Sequence, residues 1–249
     1  MTQAAKREIV FLSTFPPRAC GIAAYTTDLM TAIADQFLQS YLQVAIPIEK
    51  DDKSLSYDFA SDHVLNISDE DSFGTLLTYL NKSDKIDLLF IQHEFGLFRD
   101  QNQTFYEWLS NIEKPVIVTF HTVLPCPEEK LFKEVNAIAE ACSKIVVMTY
   151  HSADILTRDY QINPDKVIVI PHGTHLTPAT DKNEIRERFD LTGRKVHSTF
   201  GLLGPGKSIE TTLEALPKIV EKNPTVIFLI LGMTHPTLFQ SEGEQYRLL

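Results

Sequence analysis

The chain has 249 residues, more than one domain usually contains, and a formal net charge of −10 with an otherwise ordinary composition. Because an acidic protein repels the phosphate backbone of nucleic acids, we do not expect a DNA- or RNA-binding role. The three scattered cysteines argue against a disulfide framework, and no apolar run is long enough to form a transmembrane segment.

The N-terminus, residues 1–8, is polar and lacks the apolar segment of a signal peptide, so we expect a cytoplasmic protein. After it, short apolar runs alternate with stretches of helical periodicity. This alternation predicts an α/β fold with a parallel, Rossmann-like sheet that carries helices on both faces. The predicted strands are residues 9–13, 42–48, 64–67, 86–92, 116–120, 145–149 and 167–170.

The pattern changes in the last third of the chain. We predict an N-terminal Rossmann-like domain over residues 1–174, a junction over 175–194 with a charged helix, and a second domain over 195–249. The second domain contains one strand–loop–helix–strand unit, which is too little to cover both faces of a sheet. We therefore expect the second Rossmann-like domain to be truncated in this chain.

Glycine and polar residues follow several predicted strands, at the sheet edge where parallel sheets bind ligands. Gly21 follows the first strand, where it suits either a simple turn or a close approach to a diphosphate. His93 and Glu94 follow the fourth strand and His121 the fifth, and imidazoles serve as acids, bases or polar anchors. We expect no metal site, because the eight histidines show no ligand spacing.

Residues 201–208 match the phosphate-binding loop G-x-x-x-x-G-K-[ST] of nucleotide hydrolases. An apolar run precedes this loop and a helical pattern follows it, which suits an anion site at a helix N-terminus. A hydrolase also needs an aspartate after a later strand to hold magnesium, and here Gly232 follows the next predicted strand. A P-loop hydrolase that binds magnesium-ATP through Ser208 is therefore the less favoured interpretation.

Several segments occur in the order seen in family-4 glycosyltransferases, and the chain resembles this family over nearly its whole length. The matching segments are PPxxCGIxxY (16–25), QHEFG (92–96), TFHT (119–122), VVMT (146–149), VIPHGT (169–174), GLLxPxK (201–207) and LGxTHP (231–236). The resemblance implies the GT-B fold and retaining transfer of a hexose. The donor would be a nucleotide-sugar, and the acceptor a hydroxyl of a carbohydrate or another molecule.

The resemblance also implies roles for individual residues. Gly21 would approach the donor diphosphate, and Lys207 would neutralise it as the nucleoside diphosphate departs. His121 would lie near the transferred sugar. The acceptor side would be lined by three residues: His93, Glu94 and Thr122. We expect no metal or other cofactor, because the lysine takes the place of a magnesium ion.

Two features depart from the family pattern. The arginine that commonly follows the first glycine of the loop is Leu202 here, so half of the cationic clamp is absent or supplied elsewhere. The paired glutamates of the family would lie beyond Leu249, so we expect the isolated chain to have little or no activity. The alternative is a non-catalytic lobe that acts as a binding module. Either protein would be compatible with peripheral contact with a membrane.

Overall fold

A computed structural model describes residues 6–37, 40–50, 55–98, 101–174, 176–234 and 238–239. The chain divides into two compact units, Met1–Gly173 and Thr174–Leu249. Residues 235 and 236, which end the last of the family-like segments, lie outside the described residues, as does His175.

The first unit contains a seven-stranded sheet in which every pair of neighbouring strands is parallel. Its strands are β1 (Arg7–Ser13), β2 (Tyr41–Glu49), β3 (Leu65–Asn66), β4 (Ile86–His93), β5 (Val116–Phe120), β6 (Lys144–Val147) and β7 (Val167–Val169). The spatial order is β3-β2-β1-β4-β5-β6-β7. The order reverses between β1 and β4, and doubly wound sheets bind ligands beside such a reversal, at the carboxyl ends of the strands.

Helices cover both faces of this sheet, which confirms the predicted α/β architecture. They are α1 (Gly21–Phe37), α2 (Glu70–Lys82), α3 (Asn102–Ser110), α4 (Glu129–Ala141) and α5 (Tyr150–Asp159). The apolar side of α1 packs against Phe11 and Phe90 on one face. The apolar sides of α2 to α5 pack into a larger core on the other face, around Ile91 and Val118. The sheet is thus buried on both sides, and only its ends remain for a site.

The second unit repeats the strand–helix–strand pattern. It contains α6 (Lys182–Arg188), β8 (Lys195–Leu203), α7 (Ile209–Lys222) and β9 (Val226–Thr234), and β8 pairs with β9 in parallel. Gly201 and Gly232 are register partners with φ of 113° and 152°. A Cβ atom on Gly232 would lie 1.9 Å from the carbonyl oxygen of Gly201, so this close approach of the two strands requires glycine.

Predicted strand ends are wrong at β9, which continues through Gly232 to Thr234, and at β6. The apolar run 145–149 predicts a strand through Thr149, but β6 ends at Val147. The Thr149 hydroxyl instead accepts a 3.0 Å hydrogen bond from the Ser152 N–H and caps α5, which the sequence pattern did not predict. None of the helices in the described ranges is both long enough and apolar enough to cross a bilayer.

Candidate functional site

Buried polar side chains lie beneath α1, near the carboxyl ends of the central strands. We call Ser13, Thr26, Gln92 and Thr119 the polar layer; the side chain of each is fully buried. Gln92 and Thr119 are register partners on β4 and β5, and Ser13 lies at the same level on β1. The Thr26 hydroxyl donates to the carbonyl of Ile22 and therefore accepts the 2.7 Å hydrogen bond from Ser13.

The polar layer leads to His121, the first residue after β5. Its Nε2 atom lies 2.8 Å from Oε1 of Gln92. The His121 ring makes an edge-to-face contact with Tyr25 of α1, with the ring centroids 5.0 Å apart. Tyr25 also contacts His172, at 5.1 Å between centroids. The imidazole is thus held between a strand and a helix.

Burial, with a smaller effect of charge on His172, lowers the pKa of His121 to about 4. His121 is therefore neutral near pH 7 and carries one ring proton. The oxygen Oε1 of Gln92, which can only accept, faces Nε2 of the ring. Nδ1 has no hydrogen-bond partner in the part of the chain that the structure describes.

Glu94 and Thr122 form a second polar group, just beyond the carboxyl ends of β4 and β5. The Thr122 hydroxyl donates a 2.6 Å hydrogen bond to Oε2 of Glu94, and the Phe95 N–H donates a 3.1 Å bond to Oε1. The His121 N–H donates to the carbonyl of His93 at 3.1 Å, which ties the two strand ends together. The structure thus brings His121, Thr122 and Glu94 to the same edge of the sheet.

The side chain of His93 points the other way, into the larger core. It is 1% exposed, and its ring contacts Phe95, Phe98, Phe105 and Phe120. Burial, with a smaller effect of charge on His121, lowers the pKa of His93 to about 3. An acceptor could reach this imidazole only if the core opened, so we do not retain the expected acceptor contact.

Gly21 is the first residue of α1 and is exposed. A Cβ atom at this position would meet nothing within 4 Å, and the residue does not have a positive φ. Neither packing nor backbone conformation within the described residues requires glycine here. The role of Gly21 beside a diphosphate therefore stays a prediction.

The loop at 201–208 does not have free backbone donors at its lysine. Residues Pro205–Lys207 form a 3₁₀ turn, in which the N–H groups of Lys207 and Ser208 donate to carbonyls of the same turn at 2.8 and 3.0 Å. A loop that cradles a triphosphate needs such groups for the phosphates. The Lys207 side chain is exposed, and its Nζ lies 3.4 Å from the place that a Cβ of Gly201 would occupy.

The described residues hold no group of three or more histidine, cysteine, aspartate or glutamate side chains that suits a metal ion. The three cysteines are free: Cys20 is half-buried, Cys126 exposed and Cys142 buried.

No protein-family model and no curated protein sequence matches the chain. Solved structures do match it. Alr3699/HepE of Anabaena, crystallised with UDP and glucose, is 15% identical with a TM-score of 0.61, over 96% of this chain and 65% of that one. A glycosyltransferase of Rickettsia africae is 14% identical with a TM-score of 0.54, over 96% of this chain and 71% of that one.

The chain has a Rossmann-like α/β fold of the GT-B type. It spans 65% of the length of the Anabaena protein. A UDP-N-acetylglucosamine 2-epimerase is similar as well, at 12% identity and a TM-score of 0.54 over 98% of this chain and 67% of that one. Because glycosyltransferases and an epimerase both have this fold, the reaction has to be argued from the side chains.

Proposed function

We propose that the protein to which these residues belong is a retaining glycosyltransferase of the family-4 type. It transfers a hexose from a nucleotide-sugar to a hydroxyl acceptor. The observation that carries this proposal is the neutral imidazole of His121, held by Gln92 and Tyr25 beside the Thr122–Glu94 pair. The fold that the chain shares with a structure holding UDP and glucose supports the class of donor.

A neutral histidine suits the sugar that is being transferred. Positive charge develops at the anomeric carbon as its bond to the phosphate breaks, and a cationic neighbour would oppose that charge. The lowered pKa of His121 keeps the ring neutral, while Nδ1 accepts a hydrogen bond from a sugar hydroxyl. His121 thus orients the sugar without exchanging a proton.

The Glu94 carboxylate suits the acceptor side. Its two oxygens each accept one hydrogen bond, from Thr122 and from the Phe95 N–H. A carboxylate offers roughly four acceptor positions, so further lone pairs remain for acceptor hydroxyls. The two internal bonds fix the orientation of the carboxylate before the acceptor arrives.

Lys207 suits the leaving group. It is exposed, and no carboxylate of the described residues forms an ion pair with it. In the proposed step the anomeric C–O bond to the phosphate breaks, and the acceptor oxygen bonds to the same face of the carbon. The acceptor proton passes to the departing phosphate oxygen. The ammonium group of Lys207 stabilises the negative charge on that diphosphate, where a magnesium ion would otherwise serve.

The test is turnover by the complete protein that contains these residues. UDP-, GDP- and ADP-hexoses are incubated with carbohydrate acceptors, and nucleoside diphosphate release is measured together with the anomeric configuration of the product by NMR. His121→Ala should lower kcat on the order of a hundredfold. His151→Ala, on the exposed face of α5, is the control and should not.

Three results would refute the proposal, each in its own way. An inverted product refutes retention. Nucleotide-sugar binding without turnover indicates the binding-module alternative. ATP hydrolysis that disappears in both Lys207→Ala and Ser208→Ala indicates the hydrolase interpretation.

A further inference from the structure

The contact between Gln92 and His121 determines more than the position of the ring. We propose that Gln92 is a positioning residue that holds His121 in the tautomer with the proton on Nε2, and so reserves Nδ1 for a hydroxyl of the substrate. The identity of that substrate rests on the proposed function, whereas the tautomer is a property of the chain itself.

The sheet holds both partners of this contact in place. Gln92 lies on β4, fully buried and paired in register with Thr119 of β5. The His121 N–H is bonded to the carbonyl of His93 on β4, which fixes the histidine backbone against the same strand. The 2.8 Å distance between Nε2 and Oε1 is therefore set by neighbouring strands rather than by a mobile loop.

The chemistry of the amide then determines the tautomer. A carbonyl oxygen accepts and does not donate, so the proton of a neutral ring must lie on Nε2 for the contact to be a hydrogen bond. Had the amide nitrogen faced the ring, the proton would lie on Nδ1 and the free position would be a donor. The orientation of one buried amide thus decides whether the site accepts or donates a hydrogen bond.

Stability does not explain a glutamine at this position. Its Nε2 is buried without a hydrogen-bond partner in the described part of the chain, and so is the hydroxyl oxygen of its register partner Thr119. Buried polar atoms without partners destabilise a fold, and an apolar residue would avoid that cost. The amide is therefore better explained by what its oxygen does for His121 than by packing.

The other groups around the ring do not fix the tautomer. Tyr25 meets the ring through an edge-to-face contact, and His172 acts through its charge on the pKa. Two more titratable groups lie near the strand ends: His93, whose pKa is affected by charge on His121 from the other face of the sheet, and Glu94, whose carboxylate accepts from Thr122 and Phe95. Gln92 alone makes a hydrogen bond to the imidazole among the described residues.

The test measures the imidazole nitrogens directly, by long-range ¹H–¹⁵N NMR of the chain with ¹⁵N-labelled histidine at pH 7.5. In the wild type, His121 should show a protonated Nε2 and an unprotonated Nδ1. Gln92→Leu should change this to a mixture of both tautomers. Thr119→Val removes the neighbouring unpartnered hydroxyl but not the contact, and should keep the wild-type pattern. A protonated Nδ1 in the wild type, or an unchanged pattern in Gln92→Leu, overturns the proposal.

Gln92→Glu tests the same contact if Gln92→Leu does not fold. A carboxylate at this distance favours the imidazolium, so the His121 pKa, measured by NMR titration, should rise by at least about one unit. An unchanged titration overturns the proposal. Neither measurement depends on turnover: a complete protein without transferase activity refutes the proposed function and leaves the tautomer result standing. In an active enzyme, Gln92→Leu should lower kcat more than it raises KM.

Discussion

Replacing His93 with leucine should remove a defined part of the acid sensitivity of the first unit. The imidazole is buried among phenylalanines and its Nδ1 has no hydrogen-bond partner among the described residues, so the folded state disfavours the protonated ring. Its pKa is lowered to about 3, whereas an unfolded histidine titrates near its ordinary value of 6.5. Stability is therefore fully present above the unfolded pKa and is lost as the pH falls from there towards 3.

The expected size of the effect follows from linkage. At pH 5 the unfolded histidine has taken up a proton and the folded one has not, which costs about 2 kcal/mol relative to pH 8. This value depends on the distance between pH 5 and the unfolded pKa, and hardly on how far below pH 5 the folded pKa lies. His121, with a pKa of about 4, contributes a loss of similar size in the wild type and in the variant alike.

The assay is urea unfolding at pH 8 and pH 5, followed by tryptophan fluorescence. Trp108 is the one tryptophan of the chain and lies in the core of the first unit, so its signal reports this unit. His93→Leu should lose about 2 kcal/mol less than the wild type between the two pH values. The effect of the substitution on packing cancels, because the free energy of unfolding of each protein at pH 5 is compared with that of the same protein at pH 8. His151→Gln, at an exposed position, should behave as the wild type does. An equal pH dependence in the wild type and His93→Leu would refute the reasoning.

Three further predictions concern the loops and caps. In the complete enzyme, Lys207→Ala should raise the donor KM about tenfold or more while Lys207→Arg keeps most of the affinity, measured by steady-state kinetics. Gly232→Ala should destabilise the second unit far more than Gly193→Ala, measured by amide hydrogen exchange, because both have positive φ but only the former meets backbone. Thr149→Ala should cost the first unit about 1 kcal/mol in urea unfolding through loss of the α5 cap; an unchanged midpoint would contradict this assignment.

The sequence predicts where the strands of the first sheet end, and that is what brings His121, Thr122 and Glu94 to one edge. Apolar runs bounded by polar residues mark β4 and β5 within one residue of their observed ends. The direction of the His93 side chain was missed, although alternation along a strand places it on the same face as Ile91. The alternation of side chains along β4 predicts a buried His93, whereas its place at the strand end favours a site residue.

Other features depend on contacts that no local pattern reports. Tyr25 of α1 contacts His121 after β5, and the sequence near Tyr25 carries no sign of that partner. The run ending at Thr149 has strong strand propensity, and only the hydrogen bond to Ser152 shows that a helix begins there. The sequence around Lys207 matches a phosphate-binding loop. The backbone conformation, which the sequence pattern does not report, directs the N–H groups to carbonyls of the same turn.

The hydrogen bond between Ser13 and Thr26 also sets how α1 can turn about its own axis. Apolar contacts tolerate small rotations of a helix because they have no preferred direction, whereas two hydroxyls 2.7 Å apart have one. Tyr25 is the neighbour of Thr26 in that helix, so a rotation that moved Thr26 would also move the tyrosine ring that contacts His121. The bond therefore fixes the first turns of α1 relative to β1. The orientation of the imidazole thus depends on two strands and one helix.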